Sequence, residues 1–512
     1  MAAEVANLST LASIVIAAAL AYIVLSPLLS SPRGIPGPIL ARFSRLWWTK
    51  TTYDGHAHEE LIKLHRRHAP RGKYFAPVVR LGPNLYSISE PDKNVYGISS
   101  KFPKTDFYNG LQHPSPEKWD LFTLQNIKKH AEQRRKTQSL YSLSNLLKYE
   151  HSVDASLDVF RQSFDRLADA GTPIDVFHWM QCYAFDVVGY ISYGARLGFL
   201  DRGEDIGGIM AGMHSFMKFG SWIGMYSWAH PIAYKIASKL PGSGASGMNY
   251  LLGTVAGEIG SRVKTRKATV NTGSQQRDFL DLLLDMTEKN ERGVNDYDVF
   301  MTLVSNVGAG SDTTGVSLAS ITWNLYRSPD VLKKLRAELD EAIRQGRMTK
   351  NTVSFKETQD LPFLQACIKE GLRLCPATGL PMWRAVPHGG AEVMGQFFPE
   401  GSQVGINSWV SHYDRDIWGD DVEKFRPDRW IEASKDPHLG RKLDNSFIPF
   451  GMGSRTCIGR HISNLEMCKI LPILVTNFDL QMVGQEEDRL MKTLGYWFVR
   501  PTRYHAVIKR RS

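Results

Sequence analysis

The chain has 512 residues, a formal net charge of +10 and an apolar fraction of 43%. The apolar fraction is ordinary for a globular protein with a large core, and a chain of this length predicts about three domains, although no long polar or Pro/Gly-rich linker divides it. The basic excess suits nucleic acid, an anionic membrane or an acidic partner, but no nucleic-acid motif accompanies it, and a solvated surface explains most of the charges.

The chain has an odd number of cysteines and no Cys-x-x-Cys pair. This usage argues against a disulfide framework and against a zinc ribbon, and a reducing compartment is the simplest interpretation. Four of the five are predicted to be small buried hydrophobic residues. The cysteines are Cys182, Cys367, Cys375, Cys457 and Cys468.

An uncharged segment runs from Val5 to Pro32 and is long enough to cross a bilayer as a helix. A cleavable signal peptide is the competing interpretation, but its apolar region would be shorter. Only Glu4 precedes the segment and the positive charges begin at Arg33, so the rest of the chain is expected in the cytosol. We predict a transmembrane signal anchor over residues 1–31, followed by a Pro-rich hinge and linker over residues 32–50.

The body of the chain has mostly helical periodicity. The clearest helices are predicted over residues 120–143, 277–290, 296–328 and 329–346, and strand patterns occupy residues 78–89, 390–409 and 478–484. The segment 296–328 is too long and too apolar for a surface helix, so it is expected to cross the interior. The predicted fold class is mainly α with small β-sheets.

The long helix contains "AGSDTT" at residues 309–314. Asp312 is an acid in an apolar surround beside two hydroxyl groups, and an acid next to an alcohol in a pocket can relay protons to a bound ligand. Gly308 and Gly310 weaken the helix by up to about 1 kcal/mol each, which indicates either a need for space or a local bend. A helix distortion with a capping aspartate is the competing interpretation, and this motif alone does not decide between them.

A charge pair stands in "CIKEGLRLCP", where Glu370 and Arg373 are three residues apart and share a helix face. The later segment "FRPDRW" supplies Arg429. An Arg–Glu–Arg network could tie that segment to the helix with bidentate geometry, as a rigid support.

One cysteine lies in "FGMGSRTCIG". Gly451 and Gly453 permit positive φ or a close backbone approach. Cys457 is predicted near a helix N-terminus, where the dipole and free N–H groups lower the pKa of a thiol, so a nucleophile or a metal ligand is indicated. No nearby Ser/His/Asp arrangement favours the nucleophile, and a structural cysteine would not explain the glycines or Arg455.

Together these four motifs, in this order and approximate spacing, resemble the cytochrome P450 family. "FGMGSRTCIG" matches every fixed position of its heme-binding signature, "AGSDTT" its oxygen-activation motif, Glu370 and Arg373 its Glu-x-x-Arg pair, and "PDRW" its Arg-containing meander. The resemblance runs from about Pro32 to the C-terminus. It implies one helical heme b domain, over residues 51–512, in place of three domains.

The resemblance also implies roles by position. Cys457 would be the axial thiolate of the heme iron, a ligand that favours O–O cleavage. Asp312 and Thr313 would deliver protons to bound dioxygen. Further heme-binding residues would be Phe450, which shields the thiolate, Gly451 and Gly453, and the propionate partners Arg455, His130, Arg134 and Arg384. His130 stands where the family usually has tryptophan, Asp428 where it has glutamate and Trp430 where it has phenylalanine.

Membrane-anchored relatives take electrons from NADPH–cytochrome P450 reductase, with cytochrome b5 as a further candidate partner. The resemblance therefore implies an endoplasmic reticulum membrane protein with a cytosolic catalytic domain. Candidate residues for docking the acidic reductase are Lys128, Lys129, Arg135 and Lys136.

The pocket for substrate is expected above the heme, lined by mostly apolar residues. These candidates are Phe107, Leu111, Val304, Ala309, Thr378, Leu380, Met382, Tyr496 and Trp497. Segments such as "AFDVVGYISYGARLGFL" resemble filamentous-fungal members, especially the pisatin-demethylase-like group, which oxidise plant defence compounds or tailor secondary metabolites.

The implied function is insertion of one oxygen atom of O2 into a lipophilic small molecule. Hydroxylation is favoured, and epoxidation, demethylation and multi-step oxidation are left open. Two alternatives remain: a heme-thiolate isomerase or dehydratase that needs no NADPH, and a non-enzymatic heme sensor or carrier. The acid–alcohol pair weighs against both.

Overall fold

The structure is a computed structural model that describes residues 13–15, 17, 18, 21, 32, 34–115, 117–240, 243, 245–268, 277–484 and 490–511. Most of the anchor predicted over residues 1–31 lies outside this part of the chain. Within it, no helix is both long enough and apolar enough to span a membrane.

The described chain is mainly helical, with small sheets. The longer α-helices form the body, and short ones connect them. The helices are α1 Leu46–Tyr53, α2 Ala57–Arg67, α3 Lys93–Tyr96, α4 Ile127–Thr137, α5 Leu143–Leu146, α6 Glu150–Ala170, α7 Val176–Tyr193, α8 Phe199–Arg202, α9 Ile209–Ile223, α10 His230–Ala237, α11 Ala245–Ala268, α12 Phe279–Glu288, α13 Asp296–Tyr326, α14 Pro329–Arg344, α15 Phe355–Gln359, α16 Pro362–Leu374, α17 Ser408–His412, α18 Arg415–Trp418, α19 Asp428–Lys435, α20 Pro437–Ser446 and α21 Arg460–Asn477.

The strands form small separate sheets. They are β1 Val78–Gly82, β2 Leu85–Ile88, β3 Ile174–Asp175, β4 Arg384–Ala385, β5 Ala391–Val393, β6 Gln396–Phe398, β7 Gln403–Ile406, β8 Phe478–Met482, β9 Thr493–Gly495, β10 Val499–Pro501 and β11 His505–Arg510. The largest sheet has the order β1-β2-β7-β4, in which β2 and β7 are parallel and the other pairs antiparallel. The others are β3-β11-β8, β9-β10 and β5-β6.

Helix α13 crosses the interior, as its length and apolar pattern predicted. Asn295 and Asp298 close its first turn as a capping box. It packs most extensively against α7. A Cβ on Gly315 would lie 2.8 Å from the Gln181 side chain of α7, so this glycine permits the close packing of the two helices.

The helix predicted over residues 120–143 is shorter than expected. The side chain of Asp120 accepts hydrogen bonds from the backbone N–H and the hydroxyl of Thr123, which turns the chain there. Asn126 then caps the first turn of α4 through the N–H of Lys129. The helix ends at Thr137, where a 3₁₀ turn over Gln138–Tyr141 follows.

Candidate active site

A cavity of about 1350 Å³ lies inside the helical body. Ala309 and Thr313 of helix α13 line it, and so do Phe450, Gly451 and Cys457 of the loop before α21. Two motifs that are more than a hundred residues apart in the sequence therefore share one internal space.

The cysteine loop is shaped by its own backbone. Gly451 has φ +66° and donates its N–H to the carbonyl of Ile448 at 3.1 Å, and the Cys457 N–H donates to the carbonyl of Phe450 at 2.8 Å. Helix α21 begins three residues after Cys457. Cys457 is accessible only from the internal cavity that it lines, and the surrounding protein buries its thiol from bulk solvent.

The expected lowering of the Cys457 pKa is wrong for the protein chain itself. Burial raises the pKa of this thiol more than the N–H groups of Gly459 and Arg460 and the charges of Arg134 and Arg460 lower it. The helix-end effect that we predicted is present but is outweighed by desolvation. A coordinated metal ion deprotonates a thiol directly, so metal ligation would supply what the helix end does not.

Gly453 has the positive φ and the close backbone approach that the sequence predicted, but the approach is to another part of the chain. It does not line the cavity, and its φ is +62°. A Cβ on it would lie 1.9 Å from the carbonyl oxygen of Tyr96. This glycine therefore permits the loop to pack against the backbone at Tyr96 and Gly97, whereas Gly451 faces the cavity.

Five basic side chains surround one part of the cavity, and we call them the anion cradle. They are Lys104, His130, Arg134, Arg384 and Arg455. Arg455 donates to the carbonyls of Leu124 and Gln125, the latter at 3.0 Å, and Arg384 donates to the carbonyl of Trp383 at 2.9 Å. Carbonyl groups orient these cations but do not neutralise them.

Among the described residues, none of the cradle side chains forms an ion pair with a carboxylate, although Asp120 lies near Lys104. Burial and the neighbouring cations lower the pKa of His130 to about 3 and that of Arg455 to about 10, and burial holds the pKa of Lys104 well below its usual value. The nearby carboxyl of Asp120 has a raised pKa, again because of burial. This donor set is suited to a ligand that brings negative charge.

Lys104 is the cradle residue that sequence reasoning missed. It lies in a loop, joined to Arg384 by an antiparallel bridge, and its ammonium group is 4.1 Å from the ring centre of Tyr108 and 4.0 Å from that of Phe122. Nothing in its local sequence distinguishes it from a surface lysine, since its burial depends on residues distant in the chain.

The acid and the alcohol of "AGSDTT" face different surroundings. Thr313 lines the cavity, and its hydroxyl donates to the carbonyl of Ala309 at 2.9 Å. Asp312 is buried and does not line the cavity, and its Oδ1 accepts a hydrogen bond from Nε2 of Gln181 at 2.7 Å. Burial raises the pKa of Asp312 to about 6.

Glu370 is the centre of a buried network that joins helix α16 to helix α19. Its Oε1 accepts from Nη2 of Arg373 at 2.8 Å and from Nε of Arg429 at 2.9 Å. Its Oε2 accepts from Nε of Arg373 at 3.0 Å and from the indole N–H of Trp430 at 2.9 Å. The Arg–Glu–Arg arrangement foreseen from the sequence is present, and Trp430 is a donor that we had not foreseen.

The candidate pocket residues divide into two groups. Leu111, Val304, Ala309, Thr378, Met382 and Trp497 line the cavity. Phe107, Leu380 and Tyr496 do not, since they are buried in the packing around it. Phe107, for example, packs against the rings of Tyr108 and Trp497.

The candidate residues for docking the reductase also fall into two groups. Lys128, Lys129 and Arg135 are exposed on α4. Lys136 is turned inward, where its Nζ binds Oδ2 of Asp298 at 2.7 Å. Lys136 is therefore engaged in holding α4 against the start of α13.

The sequence model of the family described as cytochrome P450 matches residues 39–507. The chain belongs to the cytochrome P450 family. It is 36% identical to a pisatin demethylase of Fusarium vanettenii over 504 residues, which cover 97% of this chain and 92% of that protein. It is 34% identical to a cytochrome P450 monooxygenase of Aspergillus terreus over 497 residues, which cover 93% of this chain and 96% of that protein.

Membership of the cytochrome P450 family makes the protein an oxidoreductase of the P450 monooxygenase class, and it implies that the protein binds heme. The cavity fits that group. Cys457 offers a thiolate ligand, Gly451 leaves space beside it, and the anion cradle would neutralise the two propionates. When bound, heme supplies the iron at which dioxygen is activated.

Proposed function

We propose that this P450 inserts one oxygen atom of O2 into a lipophilic small molecule, with hydroxylation as the favoured reaction. The observation that carries the proposal is the single cavity that joins Cys457 and the anion cradle to Thr313 and a mostly apolar wall. Val304, Met301 and Phe300 belong to that wall and would exclude water from the substrate.

Different residues of the chain would bind the heme, position the substrate and supply protons. Cys457 and the anion cradle would hold the heme, and the apolar wall would position the substrate carbon. The Thr313 hydroxyl, which now donates to Ala309, can turn to donate to a ligand in the cavity. Asp312, with a pKa of about 6, is the nearest acid on the same helix that can replace that proton.

We further propose that NADPH supplies the electrons through a separate reductase that docks on the exposed basic side chains of α4. A signal anchor over residues 1–31 would hold the enzyme at the endoplasmic reticulum membrane. The similarity to a pisatin demethylase favours a fungal enzyme that oxidises a plant defence compound or a secondary metabolite.

The test uses microsomes that contain the full chain and NADPH–cytochrome P450 reductase. Carbon monoxide added to the reduced protein should give the long-wavelength Soret band of thiolate-ligated heme, and Cys457→Ala should abolish it. A panel of candidate metabolites should then yield products that gain one oxygen atom only when NADPH is present. No such Soret band would contradict heme-thiolate ligation, and product formation without NADPH would favour the isomerase or dehydratase alternative.

A further inference from the structure

A second basic group lies on the cavity wall, on helix α9. His214 and Lys218 are four residues apart, so they share one face of the helix, and both line the cavity. This group is separate from the anion cradle. The charges that act on His214 are those of Arg500 and Lys218, whereas those that act on His130 all belong to cradle residues.

Aromatic rings hold Lys218 in place. Its Nζ lies 4.6 Å from the ring centre of Tyr53 and 5.6 Å from that of Tyr496. Tyr53 also lines the cavity and is 49% exposed, so Lys218 lies where the cavity opens to solvent. The rings already restrict the position of the ammonium group. Binding of a ligand to it therefore costs less side-chain conformational entropy.

Neither side chain has an anionic partner in the part of the chain that the structure describes. Lys218 forms no ion pair there, in contrast to Lys136 with Asp298. His214 packs edge-on against the ring of Tyr496, with 5.3 Å between ring centres, and makes no hydrogen bond to a described residue. Burial and the two nearby cations lower the pKa of His214 to about 4, so the ring is neutral at pH 7 and has one N–H to donate.

We propose that Lys218 and His214 bind a carboxylate of the substrate, an inference that rests on the proposed monooxygenase function. Two donors one helical turn apart suit the two oxygens of one carboxylate, and the ammonium group supplies the charge. Met213, Phe216 and Met217 line the cavity on the same helix and would cover the hydrocarbon part. The substrate is then a lipophilic acid whose carboxylate is held at the cavity mouth while a distant carbon reaches the heme.

Calorimetric titration of the purified full-length enzyme tests this with two matched pairs of probes, dodecanoate with dodecanamide and naphthylacetate with naphthylacetamide. At least one acid should bind about tenfold more tightly than its amide, as a charge-assisted hydrogen bond implies. Lys218→Met keeps the aliphatic stem and should reduce that preference to less than about twofold. Lys218→Arg should keep it, and so should Lys118→Met, which removes another lysine from the cavity wall.

The proposal is overturned if neither acid binds more tightly than its amide, whether both bind equally or not at all. It is also overturned if Lys218→Met retains the preference. Each variant is first required to give the same Soret band with carbon monoxide as the parent, which shows that it is folded. Because calorimetry needs no turnover, failure of this proposal and failure of the monooxygenase proposal give different results.

Discussion

Gln181 holds the carboxyl of Asp312 against helix α7, with 2.7 Å between the amide nitrogen and Oδ1, while the next residue, Thr313, faces the cavity. The acid and the alcohol are adjacent in the sequence but project from different sides of α13. Proton transfer between them therefore requires a rotation of a side chain or a water molecule. Gln181 becomes a positioning residue for the acid.

We predict that Asp312→Asn makes the protein relatively more stable as the pH rises. The folded-state pKa is raised from 3.8 to about 6, so the carboxyl's contribution to stability is complete below the unfolded-state value and is lost as the pH rises through the folded-state value. The difference in the free energy of unfolding between the variant and the parent should change by up to about 3 kcal/mol between about pH 4 and about pH 7.5. Urea unfolding across that range measures it.

The matched control is Asp296→Asn, which changes an exposed aspartate in the first turn of the same helix. The pH-dependent change for Asp312→Asn should exceed that for Asp296→Asn, because only Asp312→Asn removes a buried carboxyl. If Asp312→Asn behaves in the same way, Asp312 is not a perturbed acid.

Trp430→Phe should destabilise the protein although phenylalanine is usual at this position in the family. The substitution removes the indole N–H that donates to Glu370 at 2.9 Å, and both residues are buried. A loss of about 1–3 kcal/mol in the free energy of unfolding is expected. The control is Trp323→Phe, because that buried indole N–H has no hydrogen-bond partner among the described residues. Equal losses for the two variants would mean that volume, not the hydrogen bond, matters at Trp430.

Lys104→Met should weaken retention of heme. The ammonium group lies in the anion cradle, where it would compensate propionate charge, and methionine keeps most of the apolar stem. Heme release to an excess of a heme-acceptor protein should become about tenfold faster. Lys101→Met, an exposed neighbour in the same loop, should have no effect. An unchanged release rate in Lys104→Met would remove Lys104 from the heme site.

Two glycines of α13 should respond in opposite ways to alanine. Apart from the helix's own backbone, no described atom lies within 4 Å of the position that a Cβ on Gly308 would take, so Gly308→Ala should stabilise the helix by up to about 1 kcal/mol. A Cβ on Gly315 would lie 3.3 Å from the backbone nitrogen of Gln181 and 2.8 Å from its side chain. Gly315→Ala should therefore lower the free energy of unfolding by about 1–3 kcal/mol. Urea unfolding at one pH compares them. Stabilisation by both would show that α7 and α13 are not tightly packed at Gly315.

The local sequence determined the features that depend on local chemistry. The apolar pattern over residues 296–328 is enough to predict α13, and the spacing of Glu370 and Arg373 is enough to place them on one helix face. The glycine-rich loop around Cys457 is likewise a short, contiguous motif. Such features depend on neighbours within a few residues, so a single sequence contains them.

Only the tertiary structure decided what depends on burial and on distant partners. In the folded chain Asp312 accepts a hydrogen bond from Gln181, and Gly453 packs against the backbone at Tyr96. Lys104 lies in the anion cradle beside Arg384. The tertiary structure also raised the pKa of Cys457, because desolvation depends on everything packed around a thiol and not on its place before a helix. Charge, packing and solvent exposure are set by residues hundreds of positions apart, and their balance is established only when the chain has folded.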